Sequence, residues 1–172
     1  SRTKLSPTSR AFGLRTFFKG KNKPSNKDNV KLYQSGGIGY IPQSEIGSNH
    51  EMLDKYKVLV PALGSGNDSF THPILGKSFV AEHNSACTET YIVAGCYKQK
   101  TQAENLVSYL DTKFLRFLVL LCKPAQHATA KVYSFVPLQS FDEPWTDEKL
   151  YKKYKIDEAE IAFINSMIRP ME

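Results

Sequence analysis

"FLRFLVLLCKPAQHATAKVYSFVPL", Phe114 to Leu138, sets an apolar run beside a proline, a polar turn and an alternating segment. The run Phe117–Cys122, with Arg116 just before it, is far shorter than the about 20 apolar residues a membrane span requires, so it reads as a buried element. Upstream, Ala103, Leu106, Val107 and Leu110 recur at helical spacing, and Phe114, Phe117, Leu118 and Leu121 continue the series. The pattern predicts one helical stretch over Thr101–Cys122, with Thr101 as N-cap and Glu104 as its capping-box partner. Lys123-Pro124 ends it, because proline disfavours helix in the residue before it. Beyond the polar turn, Lys131–Leu138 alternates with apolar residues on both faces and predicts a central strand.

Outward from this stretch, Val30–Gln34 reads as a strand and Ser35–Pro42 as a glycine-rich turn into another. A helical turn is expected near Ser48–Tyr56, capped by Ser48 or Asn49, followed by a buried strand Lys57–Val60. Residues 64–73 form a long loop; Ser78–Ala81 and Thr90–Ala94 are further strands joined by "EHNSACTE". Thr146 and Asp157 head two short helices with acids in their first turns, where the helix dipole favours them. With 172 residues, enough for one buried core, the expected class is α+β. We expect a single domain whose mixed, twisted sheet packs on the long helical segment, with two short C-terminal helices. The segments are a basic arm and loop (1–29), an α+β core (30–141) and a C-terminal helical segment (142–172). The chain begins at Ser1 rather than Met, as an excised piece or processed product would.

The hydrophobic share of 41% and charged share of 23% belong to an ordinary globular chain. "SRTKLSPTSRAFG" lacks the apolar core of a signal peptide. Cys87, Cys96 and Cys122 show neither CxxC nor Cys/His metal spacing and suit free thiols in a reducing cytoplasm. Charge is unevenly placed. Residues 1–32 hold nine of the 23 Lys/Arg and one of the 17 acids, a net +8, whereas the remainder is −2. Such a segment attracts polyanions by counterion release, or serves only as a solubilising arm.

Catalytic patterns are scarce. Histidines 50, 72, 83 and 127 and the three cysteines lack a nucleophile elbow such as GxSxG, and there is no HExxH. "GGIGYIP" has neither the Lys of a phosphate loop nor a following helix, so turn chemistry explains it. A divalent-metal nuclease needs clustered acids. Asp142 with Asp147-Glu148-Lys149 comes nearest but sits at a helix start, where capping accounts for it, and Asp68, Glu82 and Glu89 are dispersed. Donor-rich turns remain: Asn84 and Ser85 between two strands, and Gln126, His127, Thr129 and Lys131 after the helix. Gln can read adenine bidentately, and Lys or Thr can meet phosphate. Arg15, Lys19, Lys21 and Lys23 suit phosphate contacts.

The order "FGLRTFF", "GGIGYIP", "KYKVLVPAL", "NSACTETYIV", "AENLVSYLDTKFLRFLVLL", "QHATAKVYSFVPLQSF" and "PWTDEKLYKKYKI…EIAFINSMIRPM" resembles a known region over essentially the whole chain. It resembles the C-terminal target-recognition region of bacterial restriction–modification enzymes with a gamma-class N6-adenine methyltransferase. It is also similar to type I specificity domains, where a "YLxSKFxxFLxxL"-like helix precedes a strand. The resemblance implies a non-catalytic module that reads a short sequence in double-stranded DNA. It would present the duplex to a methyltransferase or endonuclease part of the parent chain, or to a partner subunit. S-Adenosylmethionine, with Mg²⁺ where the parent also cuts DNA, is implied for that parent. No [DNS]PP[YFW] motif is present here, so methyl transfer belongs elsewhere. Two other readings stay open: a metal-dependent DNA endonuclease domain, and a protein–protein module with a basic tail.

Overall fold

The computed structural model describes residues 3–62, 74–122 and 130–171. The architecture is α+β. Six strands form two three-stranded sheets among these residues, accompanied by four α-helices. Strands β1 (Val30–Gln34) and β2 (Gly37–Ile41) make a tight hairpin in which Gln34 pairs with Gly37. The turn needs positive φ, and Gly36 supplies it at +83°. β5 (Ser85–Cys87) joins the other edge of β1 in parallel, which makes this sheet mixed. The second sheet is antiparallel, with β3 (Tyr56–Pro61) between β4 (Phe79–Ala81) and β6 (Tyr91–Tyr97).

The antiparallel sheet lies between two cores. Val58, Val60, Ile92 and Ala94 face a cluster with Leu106, Leu110 and Leu115 from helices α1 (Lys100–Leu110) and α2 (Lys113–Cys122). Leu59, Ala81 and Val93 point the other way, to Val30, Leu32, Ile41 and Ala86 of the mixed sheet. Burial on both faces is why β3 is a continuous apolar run without alternation. Helices α3 (Asp147–Lys153) and α4 (Glu158–Met167) close the first core with Leu150 and Ile164. Their caps form as expected. Thr146 accepts from the Lys149 amide, and Asp157 and Glu160 complete a capping box.

The long helical stretch is divided at Asp111–Thr112. The Thr112 hydroxyl accepts from the Leu115 amide at 3.2 Å, and the Asp147 carboxylate accepts from Lys113 and Phe114 amides at 3.1 and 2.8 Å. These bonds start a second helix. Buried Arg116 donates to the carbonyls of Asp111, Thr112 and Arg169, tying the corner to the C-terminal segment. The apolar periodicity crosses this break, so the sequence concealed it. Thr101 is not a cap: α1 begins at Lys100 after Gln99, without a side-chain cap. Only a short 3₁₀ turn, His50–Met52, stands in the helical turn expected around Ser48–Tyr56.

Lys131–Leu138 is not a strand. Ala130–Tyr133 winds into a 3₁₀ turn that buries the consecutive residues Val132 and Tyr133, and only Pro137 makes an isolated bridge, to Lys4. Alternation predicted the wrong geometry because adjacent, not alternate, side chains are buried. β5 was hidden inside "EHNSACTE", since its three small residues carry no apolar run. The first part of the basic segment is woven into the fold. Leu5, Phe12 and Leu14 are buried, and Thr8 exchanges both backbone hydrogen bonds with Val93 at 2.8 and 2.9 Å. No helix among the described residues is long and apolar enough to cross a membrane.

Candidate nucleic-acid interface

The lysine-rich loop after Phe18 is fastened to the edge of the hairpin. Lys21 and Tyr40 exchange backbone hydrogen bonds at 2.8 and 2.9 Å, and the Gly20 amide donates to Gln34 Oε1 at 2.9 Å. The two glycines let the backbones meet closely: a Cβ on Gly39 would lie 2.8 Å from Gly20 Cα and would also press on Gln34 Oε1. Lys19 donates from its ammonium to the Ser35 carbonyl. Lys21, Lys23 and Lys27 are exposed and have no side-chain partner among the described residues. Phe17 nearby is 79% exposed.

Paired residues of antiparallel strands project to the same face. Lys21 faces Tyr40, and Tyr40 faces Lys31, so these three side chains cross the outer face of the mixed sheet in one row. Tyr33 and Ile38 form the next rung. The face is therefore basic and aromatic, with one carboxylate at its border. Glu82 accepts from Lys31 Nζ at 2.9 Å and from Tyr33 Oη at 2.7 Å. Partial burial would raise that carboxyl, but the Lys31 and Tyr33 hydrogen bonds outweigh it and hold it down at about 2.

Arg15 is already engaged. Its Nε lies 3.2 Å from Glu89, which also takes Arg10 Nε at 2.9 Å and the Thr16 amide at 3.1 Å. Desolvation opposes ionisation of Glu89, yet the Thr16 amide and the two arginines lower its pKa. Asn84 is in a left-handed conformation (φ +55°) and donates its amide to the Asn29 carbonyl at 2.8 Å. Ser85 is fully buried and its hydroxyl donates to the Glu82 carbonyl, which leaves it no access to a surface partner. Lys131 is exposed on the 3₁₀ turn against α2, in the helical layer and apart from the lysine loop. Gln126, His127 and Thr129 lie outside the described residues.

Beneath the face sits a residue that sequence reading passed over. Lys57 is fully buried, and its ammonium donates to the carbonyls of Leu53, Lys55 and Glu82 at 3.2, 2.9 and 2.9 Å. Burial lowers its pKa to about 8. Nothing local in "DKYKVLV" marks it, because the carbonyls that satisfy it come from two separate loops.

Among the described residues, no group of three or more His, Cys, Asp or Glu side chains could hold a metal ion. Glu82 and Glu89 are committed to different cations, and Asp147 caps α2. The glycine segment is a hairpin turn between two strands rather than a strand–loop–helix unit. Comparison with family models, with curated proteins and with solved structures returns no match.

Proposed function

We propose that this chain is a DNA target-recognition domain of a restriction–modification system. It holds double-stranded DNA in position for adenine-N6 methylation by a catalytic part outside these residues, in the reducing cytoplasm that three free cysteines suit. One observation carries the reading. Lys21, Lys23 and Lys27, without acidic partners among the described residues, sit on a loop bonded to the sheet edge and beside an aromatic face. Unpaired lysines on a fixed backbone can meet phosphates at defined spacing, which sets register on the duplex. The resemblance of the chain's segments to target-recognition regions supplies the rest.

The test is binding of this chain to random-sequence duplexes at two salt concentrations without added metal. Affinity should fall steeply with salt and a short motif should be enriched. Replacing Lys21 and Lys23 together by Ala should weaken binding to all sequences alike and reduce the salt slope by about 2, roughly one per phosphate contact. Absence of binding at low salt would overturn the proposal. Cleavage of DNA on adding Mg²⁺ would replace it with the endonuclease reading.

A further inference from the structure

Glu82 stands out on this face. A carboxylate beside a phosphate-binding surface opposes the phosphate, and an exposed ion pair contributes little to stability. Yet the fold takes unusual care to fix this one. Its carbonyl is held by the buried Lys57 ammonium and by the Ser85 hydroxyl, and its carboxylate by Lys31 and Tyr33. Tyr33 in turn packs on Phe79 at 5.1 Å between ring centroids, and the Lys31 ammonium lies 5.2 Å from the Tyr33 ring. Both charged ends still reach solvent, with Lys31 32% and Glu82 48% exposed. The result is a cationic donor and an anionic acceptor side by side at the surface, with little freedom left to lose on binding.

We propose that Lys31 and Glu82 together read one G·C base pair in the major groove. A guanine presents N7 and O6 acceptors there, and its cytosine presents the N4 amino donor. Lys31 Nζ supplies the donor to guanine and Glu82 accepts from cytosine N4. Tyr33 fixes the geometry through its hydroxyl and is a positioning residue. Spacing supports the division of labour. Lys21 lies two strands from Lys31 in the row through Tyr40, about 10 Å at the usual strand separation. That is comparable to the about 12 Å width of the major groove, so Lys21 meets the backbone while the pair meets a base edge. The inference rests on the DNA-recognition reading and adds a base preference to it.

The experiment is selection of duplexes from a random pool by the full chain, compared with Glu82→Gln and Lys31→Met. Glu82→Gln keeps the side-chain length and leaves the carbonyl clamp intact. The wild-type motif should contain an obligatory G·C pair. Both variants should lose preference at that one position by on the order of 10- to 100-fold, while the other positions keep theirs. Tyr33→Phe, which retains both charges, should relax the same position less. A motif without an obligatory G·C, or one unchanged in Glu82→Gln, overturns the inference while the DNA reading stands. If the wild type binds no DNA, both fall.

Discussion

On one face of the antiparallel sheet, Val58, Val60, Ile92 and Ala94 meet Leu106, Leu110 and Leu115 of the helices. On the other, Leu59, Ala81 and Val93 meet the small mixed sheet, and much of what holds that layer is polar. Lys57 gathers three carbonyls, Ser48 and Asn49 both donate to the Ala11 carbonyl, and Asn84 reaches Asn29. The helical side has directional bonds of its own, from Arg116, from Asn105 to the Phe141 carbonyl and from Tyr109 to the Pro137 carbonyl, but they border a larger apolar and aromatic cluster. Burial stabilises in proportion to area and is tolerant of direction. Hydrogen bonds fix positions, and an unmade one is costly. In the layer with the proposed interface, directional bonds place the loops over a smaller apolar cluster.

The comparison breaks most visibly in the helical core. Leu106→Ala removes a fully buried side chain between α1 and the sheet. It should destabilise by about 2–5 kcal/mol, read by urea denaturation. Next is Lys57→Met, which keeps the bulk and leaves the carbonyls without their donor. We expect a loss of about 1–3 kcal/mol at neutral pH. A neutral or stabilising effect would show that the mixed-sheet side depends on burial after all. pH sharpens this variant. Unfolded Lys57 keeps its proton up to about 10.5, while the folded residue releases it near 8. Between those values the unfolded chain binds more protons, so the wild type should gain stability relative to Lys57→Met as pH rises. The smallest effect is Asp147→Ala, which removes the acceptor for two α2 amides. It should cost about 0.5–2 kcal/mol, and DNA binding should be unaffected because the contact lies in the helical layer.

What could be read in the sequence was local. Val30–Gln34 and Gly37–Ile41 followed from a glycine turn between apolar strands, and α3 and α4 from Thr146 and Asp157 with acids behind them. What escaped depended on distant partners. Val132 and Tyr133 are drawn into the helical core side by side, so their alternation was no guide. The α1–α2 break is held by Asp147, 34 residues from the amide of Lys113. At the candidate interface, the lysine loop was legible as a charge excess. The Lys31–Glu82 pair was not, because 51 residues separate them in the chain and only the parallel β1–β5 pairing unites them.

The contact between Gly20 and Gly39 bears on how this surface tolerates variation. Alanine is ordinarily the mildest replacement for a loop residue. Here a methyl group at position 20 would sit 2.5 Å from the Tyr40 amide nitrogen, and one at 39 would press on Gly20. In a scan of folding stability the two positions should invert the usual ranking: exposed Lys21 and Lys23 can be exchanged at little cost to the fold, while a single added carbon at either glycine pushes the loop away from its strand. A lineage could thus retune the charges this edge displays many times over, yet keep the same two bare hinge points beneath them.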